Sequence, residues 1–196
     1  IALGQNAGNA NQGINGVAIG QAAGQTTQST NSVAIGTAAG NNTQGTASVA
    51  IGQNAGNDGQ LANAVAIGLG AGQTTQGIDS VAIGNGAGND TQGEEAIALG
   101  QNAGNANQGN NGVAIGLGAG QTTQSAHSVA IGTAAGNTSQ GPTSVAVGHI
   151  AGNDGQLANA VAVGRGAGQI TQGEASVAIG FQAGNSVQGA DSVAVG

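Results

Sequence analysis

Short apolar runs of the type Val-Ala-Ile-Gly recur along the chain at a constant interval of sixteen residues. The first run is Ile1–Gly4 and the last is Val193–Gly196, and amides, small residues and glycine fill the intervals. A run of this length with β-branched residues at alternate positions predicts a short strand. Sixteen residues are too few for a helix pair and suit one coil of a stacked array. The pattern therefore predicts an all-β fold, a parallel β-solenoid or β-roll built from 16-residue coils.

The sixteen-residue unit repeats without any insertion, giving twelve complete units and the start of a thirteenth. Unit positions 2 and 7 are always Ala, positions 4 and 8 are always Gly, and position 12 is always Gln. Residues 1–96 and 97–192 are identical at 72 of 96 positions, which indicates duplication of a six-unit block. We therefore interpret residues 1–196 as a single repeat array, in which each unit contacts only its neighbours.

The alternation within each strand divides its side chains between two faces. We expect Val and Ile at positions 1 and 3 to fill the inside of the coil, and Ala at position 2 to face outward. An unbroken outward stripe of alanine suggests burial against another chain, so we predict a homo-oligomer and favour a trimer. The predicted interchain packing residues are Ala2, Ala18, Ala34, Ala50, Ala66, Ala82, Ala98, Ala114, Ala130, Ala146, Ala162, Ala178 and Ala194.

The repeated amides predict hydrogen-bonded rows along the array. Amide side chains at strand spacing can bond to their copies above and below, as they do in stacked β-structures. Position 9, which is always Asn or Gln, predicts one such row. Position 12 predicts a structural ladder of Gln12, Gln28, Gln44, Gln60, Gln76, Gln92, Gln108, Gln124, Gln140, Gln156, Gln172 and Gln188.

The amino-acid composition argues against several classes of binding partner. The net charge is −7 and Arg165 is the only Lys or Arg, which argues against nucleic-acid binding and against docking on anionic membranes. The chain has no cysteine for disulfides or thiolate metal sites, and no apolar run long enough to insert in a membrane. Because it begins without Met and stops within the pattern, we expect a segment of a longer protein.

Three kinds of chemical site are considered and not favoured. The Gly68-x-Gly70-x-Gly72 pattern resembles a phosphate-binding loop, but another strand follows it where a helix would be needed. The eight carboxylates are scattered and do not form the Gly/Asp-rich pattern of calcium-binding β-rolls. His127 and His149 occupy different unit positions, without a Ser/Asp arrangement nearby. We therefore predict no catalytic residue, metal site or cofactor. The Thr residues at position 11 leave an ice-binding β-solenoid as the alternative function.

The motif Ser-Val-Ala-Ile-Gly, found for example at 32–36, 80–84 and 176–180, resembles the head repeat of YadA-type trimeric autotransporter adhesins and related haemagglutinin repeats. Similar units occur in phage and viral tail fibres. The resemblance extends over every unit of the chain. It implies a left-handed parallel β-roll with three chains side by side, outside a cell or on a virion. The expected function is that of a structural and adhesive surface fibre that presents binding surfaces to a host receptor, matrix or carbohydrate.

Overall fold

The structure, a computed structural model, describes all 196 residues and contains no helix. The chain winds as a parallel β-solenoid with one 16-residue unit per coil, as predicted. One 13-stranded sheet, sheet A, runs from the first coil to the last. Its parallel strands pair in register, Ala82 with Ala66 and with Ala98. Sheet A consists of Ala2–Leu3, Val17–Ile19, Val33–Ile35, Val49–Ile51, Val65–Ile67, Val81–Ile83, Ile97–Leu99, Val113–Ile115, Val129–Ile131, Val145–Val147, Val161–Val163, Val177–Ile179 and Val193–Val195.

A second row of short strands, sheet B, ends at the Gln of position 12 in each coil. Its parallel strands form groups of three, two and four, and isolated bridges such as Gln44 with Gln60 extend the row between them. At the parallel-sheet spacing of about 4.8 Å, twelve coils make a rod roughly 60 Å long. Sheet B consists of Asn11–Gln12, Thr27–Gln28, Thr43–Gln44, Thr75–Gln76, Thr91–Gln92, Thr123–Gln124, Ser139–Gln140, Asp154–Gln156 and Ile170–Gln172.

Two tight turns per coil connect the sheets. In the coil Val65–Ser80, the Ala71 N–H donates to the Gly68 carbonyl at 3.4 Å, and Gly70 between them has φ +62°. The second turn is closed by the Ser80 hydroxyl, which donates to the Gly77 carbonyl at 2.7 Å, and Asp79 has φ +56°. A positive φ at the third residue is the geometry of a type II turn, which favours Gly and Asn there. This explains why positions 6 and 15 hold so many Gly, Asn and Asp residues.

The core consists of two rows of alanine methyl groups, from positions 2 and 7 of successive coils. Along the array, position-2 alanines are 0% exposed within a single chain, as Ala66 and Ala82 illustrate. The predicted inward and outward faces of sheet A are therefore reversed, and the assignment of this alanine row to interchain packing was wrong. The position-2 alanines that are fully buried within the chain are Ala18, Ala34, Ala50, Ala66, Ala82, Ala98, Ala114, Ala130, Ala146, Ala162 and Ala178. At the first and last coils, Ala2 is exposed and Ala194 is half-buried.

The reversal has a steric cause, because the coil is too thin for larger side chains. A Cβ atom built on Gly88 would lie 2.7 Å from Oε1 of Gln92 and 3.3 Å from the Cβ of Ala82. The interior between the sheets is thus already filled by methyl groups and one glutamine side chain per coil. Val and Ile at positions 1 and 3 do not fit there and lie on the outer face of sheet A.

Candidate interaction surfaces

The outer face of sheet A carries a continuous apolar stripe, formed by position 1 (Val or Ile) and position 3 (Ile, Leu or Val). The position-1 residues are half-buried by their neighbours, whereas position 3 reaches solvent. Ile83 is 39% exposed and Ile179 is 44% exposed. A strand of three residues is about 10 Å long, so the stripe covers roughly 600 Å² over the rod. Monomeric proteins seldom expose apolar patches beyond a few hundred Å² unless the patch is functional.

The glutamines of position 12 lie inside the coil. Gln76 is 0% exposed, and its Nε2 donates to the Val65 carbonyl at 2.7 Å and the Ser80 carbonyl at 3.5 Å. The bond to the position-1 carbonyl is present in every complete coil, from Gln12 to Gln188. Each amide therefore joins sheet B to sheet A within its own coil, a connection that the repeat pattern did not reveal.

Bonds between glutamines of successive coils are present at some steps of this row. Nε2 of Gln60 donates to Oε1 of Gln76 at 3.1 Å, and Gln44 donates to Gln60 at 3.3 Å. At other steps the oxygen has no partner, as for Gln92 Oε1. The row is thus a set of cross-links within coils, supplemented by contacts between coils.

The amides of position 9 form a second row, at the corner between the sheets. Nδ2 of Asn89 donates to Oε1 of Gln73 in the preceding coil at 3.0 Å and to the Gly70 carbonyl at 2.9 Å. The same pair of bonds recurs at Asn41, Asn137 and Asn185. Because the Asn amide reaches a carbonyl of the coil below, this row also connects coils.

The structure brings together no constellation for the other chemistries considered. Gly68, Gly70 and Gly72 all have positive φ and turn the corner between the sheets, and no helix N-terminus meets them. No three His, Cys, Asp or Glu residues lie close enough together to hold a metal ion. The Thr row of position 11 pairs only in short stretches, such as Thr75 with Thr91, and Gly59 interrupts it. No continuous Thr array for ice binding results.

Comparison with known proteins agrees with the resemblance predicted from the Ser-Val-Ala-Ile-Gly motif. Residues 92–119 match two copies of the family model described as the YadA head domain repeat. No curated protein and no solved structure gives a significant match. The structure has no helix that could cross a membrane. The chain is thus a tandem-repeat β-solenoid. Residues 92–119 are similar to the YadA head repeat, and that family is one of structural adhesin domains, not of enzymes.

Proposed function

We propose that this chain is a rod segment of an adhesin-type surface fibre, located outside the cell or on a virion, in which identical chains associate side by side. The match of residues 92–119 to the YadA head domain repeat supports the adhesin class. The single observation that carries the association is the apolar stripe on the outer face of sheet A. YadA-type heads are trimeric, so the proposed assembly is a homotrimer, and its left-handed winding stays a prediction from the same resemblance.

The size of the stripe fits such an assembly. Stable interfaces bury roughly 800 Å² on each partner, and the stripe alone, at roughly 600 Å², would supply most of such an area. The stripe also lacks charge, because neither position 1 nor position 3 holds an ionisable side chain in any unit. Burying it would stabilise a rod whose own core contains no side chain larger than glutamine and no apolar side chain larger than alanine. Association would therefore complete the hydrophobic core of a fibre made from thin coils.

An adhesive role follows from the geometry of such a fibre. Backbone bonds and amide rows run along the whole rod and keep it stiff. The exposed residues at unit positions 5, 10, 14 and 15 then recur at fixed spacing along each chain. Weak contacts at such positions add up through avidity when several of them engage one surface. Host receptors, matrix and carbohydrates are the proposed partner classes.

Light scattering tests the association. We expect a mass of three times the 18.1 kDa chain. Replacing Ile67 and Ile83 by Lys, both on the stripe, should dissociate the oligomer because the interface would then bury unpaired charges. Replacing Leu69 and Asn85 by Lys adds the same charge to the exposed corner of the same two coils and should leave the mass unchanged. A wild-type monomer with intact β-structure would overturn the proposed assembly.

Antibody labelling tests the location separately. An antibody against the rod should label intact cells or virions of the source without permeabilisation. Labelling that requires permeabilised cells would contradict the surface location, whatever the oligomeric state.

A further inference from the structure

Three rare residues of this chain are neighbours on its surface. Arg165 is the only Lys or Arg, Phe181 is the only Phe, Trp or Tyr, and His149 is one of two histidines. All three occupy unit position 5, in three successive coils, and all three are exposed. We refer to His149, Arg165 and Phe181 as the position-5 ridge.

The backbone holds the ridge in register. The Gly166 N–H donates to the His149 carbonyl at 3.0 Å, and the Gln182 N–H donates to the Arg165 carbonyl at 2.9 Å. The three side chains therefore leave the rod at the spacing of adjacent parallel strands, about 4.8 Å. The Arg165 Cζ atom lies 5.6 Å from the centroid of the Phe181 ring, within the range of a cation–π contact. Arg165 is exposed, so its guanidinium is accessible to a ligand beside the ring.

The ridge lies on an exposed corner. Phe181 is 60% exposed, and within the array Leu69 and Leu117, at the same unit position, are 50% and 51% exposed. Position 5 is thus open from the side even where coils stack above and below. Exposed apolar residues occur singly on most protein surfaces, so the feature that distinguishes Phe181 is its contact with the one Arg of the chain.

Charge distinguishes the ridge from the rest of the surface. The chain has a net charge of −7, and its eight carboxylates all lie at unit positions 10, 14 and 15. Five of them lie in the turn at positions 13–16, at the end of the sheets away from the ridge. The other three lie at position 10, where Asp154 shares a coil with His149. Because Arg165 is the only Lys or Arg on an acidic rod, an anionic ligand would be attracted to its guanidinium more than to any other side chain of the rod.

The two six-unit blocks, residues 1–96 and 97–192, differ in sequence at the ridge positions. The positions equivalent to the ridge in the first block hold Gln53, Leu69 and Asn85. Both sets of residues fit the same backbone. The ridge is therefore a surface feature of the second block, and its residues are not required by the fold.

We propose that the position-5 ridge binds a carboxylate-bearing saccharide, with the carboxylate on Arg165 and the apolar face of a sugar ring on Phe181. A guanidinium binds carboxylate through a planar pair of hydrogen bonds, and an aromatic ring offers an apolar surface beside it. His149 adds hydrogen-bonding capacity for hydroxyl groups one coil away. The inference rests on the proposed function, because it assigns a ligand class to the adhesive fibre.

The geometry disfavours two other anionic partners. A densely sulfated polyanion needs several cations in a row, and the chain has a single Arg. A peptide that binds by strand addition would need a free strand edge, but the corner backbone at His149 and Arg165 is already hydrogen-bonded to the next coil. A shallow ridge with one cation and one ring fits a low-charge polysaccharide or the acidic end of a glycan.

Biolayer interferometry on the immobilised wild-type chain tests the proposal with defined probes. Hyaluronan and a polymer bearing 3′-sialyllactose present carboxylate sugars, a lactose polymer is the neutral control, and a glutamate-rich peptide tests the peptide alternative. We expect binding to at least one carboxylate sugar and none to lactose. Arg165→Leu should weaken it about tenfold or more, and Phe181→Asn about threefold to tenfold. Both variants carry first-block residues, so the fold accommodates them.

A graft provides the converse test. Gln53→His, Leu69→Arg and Asn85→Phe together should create a second ridge in the first block and restore binding to a chain with Arg165→Leu and Phe181→Asn. Three results would overturn the proposal. They are no binding of either carboxylate sugar by the wild-type chain, equal binding of lactose, and carboxylate-sugar binding that is unchanged by the ridge substitutions. Binding of the acidic peptide alone, lost in Arg165→Leu, would replace the saccharide by a peptide. An oligomer of the expected mass that binds no saccharide would leave the fibre proposal standing.

Discussion

Replacing one position-12 glutamine tests whether the amide cross-links stabilise the rod. Gln92 is 1% exposed, and its Nε2 donates to the carbonyls of Val81 at 2.8 Å and Ala96 at 3.2 Å. Gln92→Met keeps the length and flexibility of the side chain and removes both donors. Each hydrogen bond contributes about 0.5–1.5 kcal/mol net, so the loss should be about 1–3 kcal/mol. Because Oε1 of Gln92 has no partner, its removal reduces this cost and favours the lower half of the range.

A second substitution at the same position separates hydrogen bonding from packing. Gln92→Glu preserves the shape but places a carboxylate against two carbonyl oxygens at a site without solvent. This variant should be less stable than Gln92→Met, because a buried charge without a partner costs several kcal/mol. Thr91→Ala, at the exposed neighbouring position, is the control and should change stability by less than about 0.5 kcal/mol.

The assay must allow for local unfolding, because stacked coils interact mainly with their neighbours. Denaturant unfolding followed by circular dichroism gives the overall midpoint. Hydrogen exchange by mass spectrometry then locates the change, which should centre on the coils around Gln92. If Gln92→Met unfolds at the same midpoint as Thr91→Ala, with no faster exchange nearby, the amide contributes nothing and the reasoning is refuted.

Two further substitutions test the core and a strained turn. Ala82→Leu should overpack the interior and destabilise the chain by about 1–3 kcal/mol, as measured by thermal unfolding. The control Ala126→Leu, at a surface turn, should leave the melting temperature unchanged. Equal melting temperatures for the two variants would contradict an alanine-filled interior. Ile150 is β-branched at φ +53°, where the first block has Asn54 at φ +57°. Ile150→Asn should therefore stabilise the fold by about 1 kcal/mol, seen as a higher unfolding midpoint, and a lower midpoint would show that side-chain packing outweighs backbone strain.

The coil period and the strand positions could be predicted from the sequence because both rest on identity between units. A fixed interval without insertions permits only in-register stacking, and Val-Ala-Ile has strand propensity in every copy. The invariant Gln also indicated an amide row, since a solvated amide would tolerate replacement. Its bond to the position-1 carbonyl could not be predicted, because that contact depends on how closely sheet B approaches sheet A. Likewise, the left-handed backbone conformation of Gly70 at its turn became known only from the structure.

The direction of the strand faces could not be read from hydrophobicity, because Val, Ala and Ile are all apolar. Side-chain volume decides it, since the interior has room for little more than two alanine methyl groups and one amide per coil. The larger residues must then lie outside, where a single chain leaves them in water. The proposed interchain surface therefore lies on Val and Ile of positions 1 and 3, and not on the alanines. Full burial of an exposed isoleucine contributes roughly 1.5–3 kcal/mol, and Ile83, at 39% exposure, can still gain part of this on association. The position-2 alanines, at 0% exposure, have no surface left to contribute.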